Sequence, residues 1–555
     1  MKKILLISII TSLFLSAFAQ KKLDETSKNQ IPDIIPFPQL VEMKAGKFEI
    51  DKKTIIVASG QDEKQIAKLL SQRIEKLSGL TLQITSKKPK NNFISLVLSQ
   101  NEKLGAEGYL IKSSANSVEI EAKTTHGLFY ALQTIYQVLP VEVFSINQKQ
   151  KQTVFIPAMQ ITDNPRFSYR GMHLDVSRHF FSVEFIKKYI DILAMHKMNT
   201  FHWHLVDDQG WRIEIKKYPK LTEIGSKRIN REDKPWGKRN YEITGDTTYY
   251  EGFYTQDQVK EVVRYAQERF ITVVPEIEMP AHVMCAIAAY PELSCSQKQI
   301  EVPSGSVWPI TEIYCAGNDF VFTFNQDVLS EIMELFPSKY IHIGGDEATK
   351  TNWEKCSKCQ QRMKDENLAD VHELQSYFIK RIEQFIVSKG RQLIGWDEIL
   401  EGGLAPEATV MSWRGINGGI QAAKAGHDVV MTPVSHCYFD YYQNNPDGEP
   451  LAIGGYTPLK KVYDYEPIPD ELTKQQAVHI LGAQANLWTE YMPDGKHVEY
   501  MALPRMAALA EVVWSNKEIK NWDNFKMRML TQFKRYEAAD YNYCKTTIDA
   551  LEKNK

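Results

Sequence analysis

The sequence predicts a (β/α)8 barrel preceded by a small α+β domain, and three observations carry that expectation. Beyond Asn164-Pro165, apolar strand-like runs alternate with amphipathic helical runs through eight alternations. One of those runs, Tyr340-Ile341-His342-Ile343, ends in Gly344-Gly345 and then at once in Asp346-Glu347. No glycine-rich nucleotide fingerprint follows the first strand of the series, which argues against a doubly wound open sheet.

At 555 residues the chain has room for two or more domains, each with a full core. Residues 1–19 read as a signal peptide: Lys2 and Lys3, an apolar Ile4–Phe18, then Ala17-Phe18-Ala19 before Gln20. No Cys follows that cleavage signal, and no later run is apolar for long enough to span a bilayer. Export to a periplasm or the medium is the expectation. Residues 20–35 are polar and then proline-punctuated, as a linker would be. Over 36–160 the period-2 runs Ile55–Val57, Phe93–Leu98, Tyr109–Ile111 and Val118–Ile120 predict strands. Ile66–Leu77 and Thr125–Leu139 have helical spacing, and Pro140 stops the second. This domain gathers no set of reactive side chains.

The barrel is expected over 165–515. Its strands are predicted at Gly171–Val176, Asn199–Leu205, Ile271–Glu276, Tyr340–Gly344, Arg391–Trp396, Thr409–Trp413, Asp428–Thr432 and Ile480–Asn486. The clearest helices between them are Ser182–Lys197, Thr255–Arg269, Asn325–Phe336 and His372–Lys389. Residues 516–555 are a polar, helix-prone tail expected to pack on the barrel's outside.

A net charge of −2 without a basic block gives no reason to expect nucleic acid as a partner. Seven cysteines leave at least one thiol outside any disulfide. Cys356-x-x-Cys359 suits a small disulfide loop, a redox pair or half a zinc site. The sequence shows no second pair or histidine at metal spacing, which favours a structural role. Cys295 and Cys315 bracket a loop that a disulfide could close.

Chemistry in such a barrel sits at the carboxyl ends of the strands. Those ends bring Asp175 and Arg178, Asp207-Asp208 with Trp211, and Glu276, Glu278 and His282. Asp346-Glu347, Trp396-Asp397-Glu398, Trp413-Arg414, Tyr438 with Asp440, and Trp488 with Glu490 complete the circuit. Carboxylates and an arginine walled by tryptophans suit a sugar: rings stack on its apolar face and charged groups take its hydroxyls. Asp346 and Glu347 are adjacent, so on an extended segment they point to opposite faces, and their charges oppose one another. One is expected to stay protonated and the other ionised. His202-x-His204 could suggest a metal pair, but a supporting role is favoured, and no metal or cofactor is expected.

Seven stretches resemble glycoside hydrolase family 20, the exo-acting β-N-acetylhexosaminidases. They are Arg170–Phe180, His202–Arg212, Pro275–His282, His342–Glu347, Gly395–Glu398, Ser412–Gly415 and Ala485–Glu490. The resemblance implies a substrate-assisted retaining mechanism on a glycan ending in N-acetylhexosamine. It implies Glu347 as general acid and base, Asp346 orienting the acetamido group, and Tyr438 bonding its oxygen. Trp396, Trp413 and Trp488 would enclose the sugar, and Arg178, Asp440 and Glu490 would hold its outer hydroxyls. His282, with the acidic residues Asp207 and Glu278 near it, would support Glu347. One departure stands out: the family usually has Asp-Met-Pro-Gly-His where this chain reads Glu278-Met-Pro-Ala-His282. The extra methylene of Glu278 is expected to shift its contact with His282.

Overall fold

The structure, a computed structural model, describes residues 32–145, 151–239 and 248–552. The leader-like residues 1–19 lie outside that range. The chain divides into two compact units, one reaching Arg166 and including Trp514–Tyr541, the other spanning Phe167–Val513 and Asn542 onward.

The first unit is built on seven strands: β1 (Leu40–Ile50), β2 (Ile55–Val57), β3 (Gln83–Thr85), β4 (Phe93–Leu98), β5 (Tyr109–Ser113), β6 (Ser117–Ala122) and β7 (Val154–Asp163). Their order in the sheet is β1-β7-β5-β6-β4-β2-β3. Helices α1 (Gln61–Ser78) and α2 (Thr125–Val138) cover it. The Thr124 side chain caps α2 by accepting from the His126 N–H, which fixes where the helix starts. Two expectations change here. Ile34 and Ile35, read as linker, are fully buried, and the Ile35 N–H donates to Gln137 Oε1 at 2.8 Å. The tail helix Trp522–Ala538 belongs to this unit, while the tail from Asn542 onward belongs with the barrel. Its Arg528 and Arg535 are buried and donate to the carbonyls of Ile34 (2.8 Å) and Gln137 (2.7 Å). These two arginines satisfy buried backbone carbonyls.

The second unit is the expected barrel. Its strands are β8 (Tyr169–Asp175), β9 (Thr200–His204), β10 (Thr272–Glu276), β11 (Tyr340–His342), β12 (Gln392–Trp396), β13 (Thr409–Ser412), β14 (Val429–Met431) and β15 (Ile480–Ala485). They close in chain order, every neighbour parallel. All eight predicted strands are present, with ends within two residues of the predicted ones. Tyr169, Val274, Ile394, Met411 and Val430 meet in the interior, so the barrel is a packed core with its chemistry confined to its mouth. The main outer helices are α3 (Val183–Met195), α4 (Gln256–Gln267), α5 (Asp319–Leu335), α6 (Ser357–Asp365), α7 (Val371–Ser388) and α8 (Asn417–Lys424). Thr255 and Gln258 form a reciprocal capping box that starts α4. Among the described residues, no helix is long and apolar enough to cross a membrane.

Candidate active site

The site is set by how β11 ends. Gly344 and Gly345 have φ of +67° and +99°, and Glu347 follows at +50°. These left-handed residues stop the strand at His342 and curl the chain over the barrel mouth. Gln375 on α7 fixes the curl by donating to the Gly345 carbonyl at 2.9 Å. The expected divergence of Asp346 and Glu347 is therefore not observed. The turn makes them converge: His282 Nε2 lies 3.5 Å from Asp346 Oδ2 and 3.5 Å from Glu347 Oε2.

His282 also has a left-handed φ, +55°. Its Nδ1 faces Asp207 Oδ1 at 3.1 Å and Asp208 Oδ2 at 3.3 Å. Burial opposes its charge, but Asp207 and Asp346 outweigh burial and hold the imidazole well above its usual pKa. Asp207 is pushed up by burial, yet Arg178 and His282 pull its carboxyl well below the usual range. Glu278 does not hydrogen-bond His282. Its carboxyl is buried against Gly344, neither oxygen has a hydrogen-bond partner, and burial plus the nearby Asp346 and Glu276 push its pKa well up. The acidic partners of His282 are Asp207 and Asp208, and the longer Glu278 side chain is turned elsewhere.

The order of the two central acids also differs from expectation. Burial raises Asp346 despite His282, whereas for Glu347 the bond and charge of His282 outweigh burial and lower it. Exposure explains the difference, since the Asp346 side chain is 11% exposed and that of Glu347 33%.

Around this pair lies a pocket enclosing about 200 Å³. Arg178, Asp207, His282, Asp346, Glu347 and Trp396 line one part of it. Trp413, Tyr438, Asp440, Trp488 and Glu490 also line it, so every residue to which the resemblance gave a site role, except Glu278, reaches it. Trp413 and Tyr438 stack at 6.1 Å, and Trp396 and Trp488 lie 5.8 Å apart. Two of the three indoles are anchored from behind: Trp396 Nε1–H donates to Glu276 Oε1 (2.8 Å), and Trp413 Nε1–H donates to Glu398 Oε2 (2.9 Å). Arg178 is fixed by Asp207 (2.8 Å), Asp175 (3.1 Å) and Gln209 (2.9 Å), with Glu490 at 3.6 Å. His202 and His204 sit beneath the pocket floor against Glu276, at 3.0 and 2.5 Å. Trp211 is fully buried and donates to the Ile213 carbonyl, away from the pocket.

Sequence reasoning missed Tyr441 and Ile453, which also line the pocket. Tyr441 adjoins Asp440 and was within reach of a closer reading, but Ile453 lies in a Gly- and Pro-rich loop with no periodic signal. Buried Asp346 Oδ1, Asp440 Oδ1 and Glu490 Oε2 have no hydrogen-bond partner. Buried acceptors without partners, grouped in one pocket, are acceptors waiting for a ligand's donors.

The catalytic-domain model of glycosyl hydrolase family 20 matches residues 167–517, and the model of that family's domain 2 matches residues 31–164. The chain belongs to family 20. A β-hexosaminidase of Porphyromonas gingivalis is 49% identical over 93% of this chain, which spans 65% of that protein's length. A β-N-acetylhexosaminidase of Cellulomonas fimi is 30% identical, with 90% of this chain and 93% of that one covered. Among solved structures, the family 20 β-N-acetylhexosaminidase of Streptomyces coelicolor superposes with a TM-score of 0.80 at 30% identity, covering 93% of this chain and 98% of that one. The departure at Glu278 has a physical counterpart in the carboxyl buried against Gly344.

Proposed function

We propose that this protein is an exported, exo-acting β-N-acetylhexosaminidase that removes terminal β-linked GlcNAc or GalNAc from glycans. The observation that carries the reading is the convergence of Asp346 and Glu347 on His282 inside a tryptophan-walled pocket, where Asp346, Asp440 and Glu490 each keep one oxygen without a hydrogen-bond partner. The leader-like residues 1–19 support export.

The reaction begins when the substrate's own acetamido oxygen attacks C1. The leaving oxygen departs with a proton from Glu347, and a cyclic oxazolinium forms. Water then opens it at C1, giving its proton to Glu347, and the configuration is retained. Asp346 accepts from the acetamido N–H and meets the positive charge that develops on the ring. The Tyr438 hydroxyl is kept protonated by burial, then by Asp440, so it donates to the acetamido oxygen. A bound sugar corrects the order of the two acids. It covers the exposed flank of Glu347 and raises its pKa, while its N–H favours the ionised form of Asp346.

The nucleophile is tested with aryl glycosides carrying one, two or three fluorines on the acetyl methyl. Each fluorine weakens the carbonyl oxygen, so kcat/KM is expected to fall stepwise, and a flat series would show that the acetamide does not attack. In this reading Arg178, Asp440 and Glu490, which line the pocket, hold the outer hydroxyls of a terminal sugar and close the pocket to a longer chain. Oligosaccharides capped at the non-reducing end are expected to survive intact, and internal cleavage would refute the closed pocket.

A further inference from the structure

Two of the longest connections at the barrel mouth carry a second cluster. The connection from β10 to α5 bears His282 and, further on, Cys295 and Cys315. The connection from β11 to α7 bears Asp346 and Glu347, then Cys356 and Cys359 around the start of α6. The sequence offered no second pair to complete Cys356-x-x-Cys359. The fold supplies one, because Cys295 and Cys315 arrive from the neighbouring connection.

The four sulfurs all lie within 4.8 Å of one another. Cys359 Sγ is 3.7 Å from Cys295 Sγ and 3.7 Å from Cys315 Sγ, and Cys315 Sγ is 3.8 Å from Cys356 Sγ. A disulfide needs about 2.05 Å and a single partner. Here Cys359 is equidistant from two. Four thiolates around one zinc, each at about 2.3 Å in a tetrahedron, stand about 3.8 Å apart along every edge. The backbone is shaped for this approach as well. A Cβ at Gly317 would lie 2.2–2.4 Å from the backbone of Lys358 and Cys359, so only glycine lets the two segments close. Hydrogen bonds from Trp353 Nε1 to the Tyr314 carbonyl (2.9 Å) and from Asn352 Nδ2 to the Thr311 carbonyl (2.8 Å) hold the same segments together.

We propose that Cys295, Cys315, Cys356 and Cys359 bind one structural zinc ion that ties the His282 connection to the Asp346-Glu347 connection. With four protein ligands the metal has no open position, so it does no chemistry on substrate. It braces the two segments whose relative placement sets the 3.5 Å contacts of His282. Thiols lose protons as the metal binds, so affinity falls in acid.

The test uses the full-length protein purified without added metal. Elemental analysis is expected to find one zinc per chain, and a mercurial titrated against the thiols should release it to a zinc-sensitive dye. Cys356→Ser/Cys359→Ser should lose the zinc, melt at lower temperature and lose part of its kcat/KM, since the brace on the His282 contacts is gone. Should that variant fail to fold, wild-type protein produced with cobalt(II) in place of zinc should show thiolate-to-cobalt charge-transfer absorption. Four thiols that resist alkylation until reduced would mean two disulfides and overturn the proposal. Freely alkylated thiols without metal, iron in the site, or zinc retained by the double variant would overturn it equally.

Discussion

Glu347 is the residue on which the chemistry turns, and its surroundings say how a substitution there should behave. It sits in a left-handed backbone conformation that a glutamate adopts only when its neighbours impose it. Gly344 and Gly345 before it and the Gln375 bond to the curl supply that constraint. Glu347→Gln keeps the shape and removes the proton. Substrates with poor leaving groups, which need that proton, should lose about 10²–10⁴-fold in kcat/KM. Aryl glycosides with good leaving groups should lose much less in the glycosylation step. Equal losses across a leaving-group series would rule out the acid role. The two acids were legible in the sequence because Gly-Gly at a strand end is rare without a reason. Their convergence was not, since an alternating strand pattern cannot foresee positive φ at Gly344, Gly345 and Glu347.

At the scale of elements, the strand pattern was readable wherever a strand is buried on both sides. β8 to β15 stand within one or two residues of their predicted places because parallel barrel strands are continuous apolar runs. β1 was missed for the opposite reason: Leu40–Ile50 is an exposed edge with a register shift between Met43 and Lys47, so its alternation breaks. The placement of Glu278 was equally hidden, because it depends on what β11 offers across the gap. A Cβ at Gly344 would lie 1.7 Å from Glu278 Oε2, and that carboxyl is buried with nowhere to turn. Gly344→Ala should therefore displace the curl and reduce kcat/KM by about 10²-fold. Adding Glu278→Ala removes the clash and should recover part of the loss, the remainder being the cost of φ +67° for alanine. A Gly344→Ala enzyme with wild-type kinetics would show that the two loops are not in contact as described.

For the whole molecule, the sequence disclosed the domain order and the barrel. It hid long-range partners, the tail helix in the first unit and the four sulfurs, but it did gather acids from different strand ends. That gathering has a consequence for stability against pH. Glu398, beside Trp413, Arg414, Asp397 and Asp346, has its carboxyl pushed up to about 8, by burial first and Asp346 next, against the pull of Trp413 and Arg414. An unfolded glutamate titrates near about pH 4.3. Between those values the native state holds a proton that the unfolded chain has lost, so stability falls as pH rises through the window. A neutral glutamine at this position still accepts from Trp413 Nε1 and carries no such dependence. Melting temperatures of wild type and Glu398→Gln, compared from about pH 5 to about pH 8, should diverge steadily. Relative to the variant, the wild type loses ground toward the alkaline end, whatever other groups titrate in both. Parallel curves would mean that Glu398 is ionised in the native protein and that the burial and Asp346 effects assigned to it are compensated by Arg414.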